Sequence, residues 1–228
     1  MTPLAVAERF VSQHFPGAST AVVAGSTARG ERTATSDIDL LLIGDRTFGD
    51  ERTSVAATYA FEGEILEVFA YTDDDFDQWA RRGVDSHRPV LLDMLLRGVA
   101  VRDEGLVSLR ARWRPVVEAG PTTTPQELSL RRYIVTDLLD DLRDATDPIE
   151  RHVVASLLYE RLAELILLAG GRWIAAGKHL PRHLRRLDAD RALRLGDPLA
   201  RGDIREFLTA AEAELERLGG RLQAGFTR

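Results

Sequence analysis

Two aspartates, Asp37 and Asp39, stand one residue apart at the head of an apolar run, DIDLLLI, over residues 37–43. In a strand, alternation sends Asp37, Asp39 and Leu41 to one face and Ile38, Leu40 and Leu42 to the other, with the aspartates about 7 Å apart. The buried side fixes the register, so both carboxylates can reach one metal site. Carboxylates this close repel each other unless a cation sits between them, and hard oxygen ligands suit Mg²⁺. Upstream, Gly25-Ser26 ends another apolar run, residues 20–24, and leads into a short polar segment. A strand that turns into a helix there presents backbone N–H groups, a hydroxyl and a helix N-terminus, the equipment that holds a phosphate. Arg29 adds a permanent charge of bidentate geometry. An isolated Asp-x-Asp reads as a strand cap beside a surface carboxylate. It is the adjacent phosphate grip that argues for chemistry.

The elements that must position these residues follow from hydrophobic period. Short β-branched or aromatic runs at 20–24, 37–43, 55–61, 65–71 and 99–101 read as strands, with helices expected at about 2–15 and 73–82. The runs at 55–61 and 65–71 are too close for anything but a hairpin, which excludes a Rossmann arrangement and suits a small mixed sheet covered by helices. Beyond residue 104 the spacing is helical: 128–142, then 147–169 closed by Gly170-Gly171, then about 204–218 closed by Gly219-Gly220. The expected fold class is α+β, with a sheet domain over 1–104 and an α-helical bundle over 105–228. The segment GPTTTP, residues 120–125, is expected to punctuate two helices of the second domain.

Composition narrows the classes. Of 228 residues, 44 % are hydrophobic and 29 % charged, enough apolar surface for a core and no signature of disorder. The absence of cysteine excludes a disulfide scaffold, a thiolate zinc site and a cysteine nucleophile. The N-terminus lacks the pattern of a signal peptide and no run approaches the roughly 18 apolar residues of a membrane span, so a cytoplasmic protein with no membrane partner is expected. A net charge of −6 argues against nucleic acid as a partner. Divided at residue 104, that charge becomes 18 acids against 10 bases, then 18 against 20. An acidic half and a slightly basic half together suit a metal-bound nucleotide.

Gly25-Ser26-Thr27-Ala28-Arg29-Gly30, followed by Ser36-Asp37-Ile38-Asp39-Leu40, resembles the signature of the DNA polymerase β-like nucleotidyltransferase superfamily, in its small-substrate and minimal branches such as kanamycin and lincosamide nucleotidyltransferases. The resemblance implies that Gly25 and Ser26 bind a nucleoside triphosphate, that Asp37 and Asp39 bind two Mg²⁺, and that a neighbouring strand supplies a third carboxylate. Glu67, central to the run at 65–71, is the candidate; the family often has aspartate there. Glu62 and Glu64, beside the hairpin turn, read as solvated. Glu160 and Glu164 lie one turn apart on the most apolar helix. The kanamycin branch places a general base on a helix of its second domain, which makes Glu160 the candidate; the alternative is a solvated stripe. Trp173 and Gly177-Lys178-His179-Leu180-Pro181-Arg182 resemble a loop of bacterial relatives, so Lys178, the one lysine beside 29 arginines, is a candidate nucleotide contact. The basic stretch Arg172, Lys178, Arg182, Arg185, Arg186, Arg191 and Arg194 reads as a solvated helix face with intrahelical pairs in preference to a phosphate or RNA contact surface, since no aromatics interleave it for stacking.

These implications give an Mg²⁺-dependent enzyme moving a nucleoside monophosphate, AMP from ATP, onto a hydroxyl of a small molecule such as an aminoglycoside-like antibiotic. Two alternatives remain open: an antitoxin-type enzyme that modifies a protein side chain, and an inactive nucleotide-binding regulatory module. Composite sites across a homodimer occur among such relatives.

Overall fold

A computed structural model of the chain describes residues 2–224 and 227. Two compact units divide at Ala119 and Gly120. The first runs α1 (Pro3–His14), β1 (Thr20–Val23), α2 (Gly25–Arg29), β2 (Ile38–Ile43), β3 (Ser54–Phe61), β4 (Glu64–Tyr71), α3 (Asp73–Asp85), α4 (Val90–Arg97), β5 (Val99–Asp103) and α5 (Leu106–Ala119). Its five strands form one sheet in the order β3-β4-β2-β1-β5. Every pairing is antiparallel except the central one, where β2 runs parallel to β4.

Alternation along β2 places its residues as the apolar pattern requires. Ile38, Leu40 and Leu42 pack with Leu66, Val68 and Ala70 of β4 under Ala7, Phe10 and Val11 of α1. Leu41 and Ile43 face the other way, into a cluster with Phe76, Leu92, Leu95 and Trp113 from α3, α4 and α5. Both sides of β2 are therefore buried beyond its first residues, the condition that makes a one-residue slip costly. The hairpin expected between the third and fourth runs is present, closed by the Phe61–Glu64 pair. Its two turn residues, Glu62 and Gly63, both have positive φ, 50° and 81°, as a primed two-residue turn demands. Glu62 tolerates this beside Arg9 of α1, whose Nε donates to its carboxylate at 2.9 Å.

The division between units lies later than the boundary expected at residue 104. Helix α5 carries Leu106 and Trp113, which bury against Phe76 and Leu92 of the first unit, so it belongs with the sheet. The GPTTTP segment thus begins at the junction of the two units and does not merely separate helices of one. Helix α4, whose apolar residues Leu92, Met94 and Leu95 are buried, was not foreseen by period because it spans only eight residues.

The second unit holds α6 (Pro125–Asp144), α7 (Pro148–Ala169), a short 3₁₀ turn (Gly177–His179), α8 (Leu180–Leu187), α9 (Ala189–Ala200) and α10 (Ile204–Arg217). Thr124 caps α6 by accepting the Glu127 N–H, and Asp147 caps α7 by accepting those of Ile149 and Glu150. Leu139, Leu142, Leu158, Leu162, Leu184 and Phe207 are among the side chains of its single core. The fold is α+β, with a helical C-terminal region, as the sequence implied. Among the described residues no helix is long and apolar enough to cross a membrane.

Glu164 departs from the expectation of a solvated stripe. It is 1 % exposed, with its carboxylate 3.3 Å from Arg131 and 3.1 Å from Arg161. Glu160, on the same helix face, is 40 % exposed and only 3.9 Å from Arg161. The expected result for Glu164→Ala is a loss of about 2 kcal/mol, since the substitution removes a buried carboxylate that accepts from two arginines and leaves Arg131 with Glu127 alone. Urea unfolding combined with amide exchange in α6 and α7 measures it; a loss below about 0.5 kcal/mol, the scale of a surface pair, would contradict this account.

Candidate active site

The parallel pair brings the predicted acids together. In the β2–β4 ladder Asp39 stands directly beside Glu67. Neighbours in a parallel pair share a face, and β4 residues Phe69 and Tyr71 on that face contact the same cluster as Leu41 and Ile43. Asp37 precedes the strand by one residue and lies two positions before Asp39, on the same side by alternation. All three are partly buried. The Glu67 carboxyl is held above the usual carboxylate range, first by burial and then by the negative charges of Asp39 and Asp37.

Helix α2 begins where β1 ends. Ala24 N–H donates to the Asp39 carbonyl at 2.8 Å, which fastens the helix start to the acid-bearing strand. Gly25 follows with φ of 60°, and a Cβ built there would overlap the Asp39 carboxylate. Glycine is thus required on two grounds, its left-handed backbone and the close approach of the acid. No side chain caps the N-terminus of α2. Among the described residues the Ser26 hydroxyl makes no hydrogen bond, and it is only partly buried. Thr27 Oγ1 donates to the Asp37 carbonyl at 3.3 Å, and Gly30, left-handed at 69°, ends the helix.

Arg29 sits at the exposed end of α2, where its Nε donates to Glu31 at 2.9 Å. The Gly30 turn brings Glu31 back alongside it. Lys178 is exposed in the 3₁₀ turn of the second unit and makes no ion pair among the described residues. Glu160 borders a shallow, open depression lined by His152, Val153, Ser156 and Leu157. The basic stretch is only partly paired: Arg191 reaches the buried Glu214 at 2.7 Å, while Arg182, Arg185 and Arg186 form no ion pair among the described residues.

Two features escaped the sequence. Glu64, read as solvated, pairs with Arg32, which also donates to the Ser36 carbonyl at 2.9 Å. The contact joins residues that are remote in sequence, and only the parallel register could have announced it. The approach of Gly25 to Asp39 was likewise invisible, although a glycine at a strand-to-helix turn was its one available signal.

The donor set formed by Asp37, Asp39 and Glu67 is carboxylate oxygen throughout, the hard ligand class preferred by Mg²⁺. Among the described residues no group of three or more acidic or histidine side chains is placed so that it could hold a metal ion as it stands. The burial and neighbouring charges that raise Glu67 are costs that a cation would reduce, so the donor chemistry suits a divalent metal once the carboxylates close on it.

Residues 4–78 match a family model described as a nucleotidyltransferase domain, a span reaching from α1 into α3 and containing every element of the site just built. A search of curated protein sequences found no match. Among solved structures, the crystal structure of a nucleotidyltransferase-like protein from Exiguobacterium sibiricum 255-15 has a TM-score of 0.50 at 15 % identity, over 94 % of this chain and 73 % of that one. At that identity the likeness concerns the fold. Residues 4–78, less than half of the chain, thus match a nucleotidyltransferase domain, and the solved structure adds a likeness of fold.

Proposed function

We propose that the protein transfers a nucleoside monophosphate, AMP from ATP, onto a hydroxyl of a small molecule, with release of pyrophosphate. The observation that carries this reading is the pairing of Asp39 with Glu67 across the parallel ladder, with the Asp39 carboxylate against Gly25 at the uncapped start of α2. Asp37, Asp39 and Glu67 would hold divalent metal; when bound, two such ions supply charge neutralisation at the reacting phosphate and its leaving group. The chain's own part is to bind and orient. Gly25 and Ser26 would receive the triphosphate through backbone N–H groups and the Ser26 hydroxyl. Arg29 would exchange Glu31 for phosphate, a substitution its exposed position permits.

Two roles in the helical unit belong to the same proposal. Of the two glutamates considered as general base, Glu160 has the carboxylate open to solvent, whereas that of Glu164 is occupied by two arginines. A base must reach the acceptor hydroxyl, which favours Glu160. Lys178, exposed and in no ion pair among the described residues, is the nucleotide-contact candidate of the second unit. The acceptor class rests on the helical unit that follows the catalytic domain, residues 120–228, which is more than a minimal side-chain-modifying enzyme of this kind carries. An aminoglycoside-like molecule is the first acceptor to try.

The test is incubation of the purified protein with labelled nucleoside triphosphates and Mg²⁺, against a panel of aminoglycosides and, separately, a protein fraction of a lysate. Label on a small molecule supports the proposal; label on protein alone supports the side-chain alternative. Mg²⁺-dependent nucleotide binding by calorimetry without transfer to either acceptor would favour the regulatory module, and absence of both would reject the nucleotidyltransferase reading.

A further inference from the structure

We propose that Arg32 is a positioning residue for the acid cluster: it bridges β2 and β4 two steps below the point where their ladder ends, and so fixes where Asp37 stands relative to Glu67. This inference rests on the nucleotidyltransferase reading of the same site. Backbone pairing between β2 and β4 begins at Ile38 and Leu66. Continued downward at the same offset, the register sets residue 37 opposite 65 and residue 36 opposite 64. Asp37 therefore lies outside the hydrogen-bonded ladder, at a position where nothing in the sheet itself holds the two chains together. Arg32 supplies the connection. Its Nη1 donates to Glu64 Oε1 at 3.1 Å, its Nη2 to Glu64 Oε2, and the same Nη2 donates to the Ser36 carbonyl at 2.9 Å.

A guanidinium suits this task because its donors are fixed in one plane, so a single group can grip a carboxylate with two nitrogens and still reach a carbonyl. Both side chains are about three-quarters buried, with exposures of 24 % and 26 %, and the Arg32 Nε is buried with no hydrogen-bond partner. The arginine is therefore held by packing as well as by its partners. The loop it closes is ordered from within: Thr33 N–H donates to Ser36 Oγ at 2.9 Å and Ser36 N–H to the Thr33 carbonyl at 3.1 Å. Arg32 thus carries a small rigid turn whose next residue is Asp37. Its positive charge also lies near enough to Asp37 to interact with it, which offsets part of the repulsion within the cluster.

The test compares the wild-type protein with Arg32→Ala, Arg32→Lys, Glu64→Gln and the exchanged pair Arg32→Glu/Glu64→Arg. Three readouts are taken: the Mg²⁺ concentration that half-saturates binding of a fluorescent ATP analogue, amide exchange over residues 33–40, and the melting temperature. For Arg32→Ala the expected Mg²⁺ requirement rises about 10-fold or more, the scale seen when support behind a metal ligand is removed. Exchange quickens over 33–37 while β1 and α1 stay protected. Arg32→Lys, which keeps the charge but loses the fork, and Glu64→Gln fall between, and the exchanged pair recovers part of the loss. A merely structural role would lower the melting temperature without changing the Mg²⁺ requirement of the folded protein. Wild-type binding with an unaltered Mg²⁺ requirement in Arg32→Ala and Glu64→Gln would overturn the positioning role alone. A wild-type protein that binds no nucleotide with Mg²⁺ would overturn the nucleotidyltransferase reading and this role with it.

Discussion

Asp39→Asn is expected to reduce nucleotidyl transfer by roughly 10³-fold or more while leaving the fold intact. The estimate follows from chemistry worth several kcal/mol at a metal-clamped phosphate, with each 1.36 kcal/mol equal to a factor of about ten. Asparagine preserves the shape of the side chain, and Ala24 N–H bonds the backbone carbonyl of residue 39, so the tie between α2 and β2 survives. What is lost is one negative charge from a set of three. That charge is unfavourable to the metal-free protein, because it helps to raise the neighbouring Glu67 carboxyl. The melting temperature of the variant should therefore stay level or increase, the opposite of an ordinary inactivating substitution. Asp37→Asn is expected to act in the same direction. Turnover by the purified double variant, at a rate near wild type, would remove the metal role from both residues; a collapsed circular dichroism spectrum would instead show that Asp39 is structural.

Gly25→Ala should be the second most damaging change, and for a different reason. The new Cβ meets the Asp39 carboxylate while the backbone at φ of 60° resists any side chain. Left-handed strain alone costs about 1 kcal/mol. The greater effect is geometric: either α2 or the carboxylate must shift, and a displacement on the order of 1 Å at a reacting site can cost about 100-fold in rate. The expected signature is a fall in kcat of that size with a small drop in melting temperature, in contrast to Asp39→Asn, which spares stability. Steady-state kinetics with a thermal melt decides the matter. A Gly25→Ala protein with wild-type kcat would mean that the approach of Gly25 to Asp39 has no bearing on catalysis.

The sequence was most informative where a pattern is local. Alternation from Asp37 to Leu42 correctly divided the strand into a buried face and an acid face, because both are set by a period of two within one segment. The hairpin between β3 and β4 was legible from the short spacing, and α6, α7 and α10 from their apolar stripes. It was least informative where partners come from far along the chain. Trp113 and Leu106 look like ordinary residues of a helical stretch, and only their burial against Phe76 assigns α5 to the first unit. Glu164 carries no mark that distinguishes it from Glu160; its neighbour Arg131 comes from another helix. Arg32 and Glu64 are thirty-two residues apart, and what joins them is a register fixed elsewhere in the sheet.

The parallel pairing of β2 with β4 also bears on how the protein comes to be competent. Hairpins such as β3–β4 close locally and fast, whereas contacts between distant segments must first overcome the entropy of closing a long loop. Asp39 and Glu67 lie on the two strands that meet only through such a non-local step, with the whole of β3 between them in the chain. During synthesis, then, neither strand alone offers an acid cluster to stray metal or nucleotide. The cluster comes into being together with the centre of the sheet, so the binding proposed for it would double as a report that this unit has finished folding.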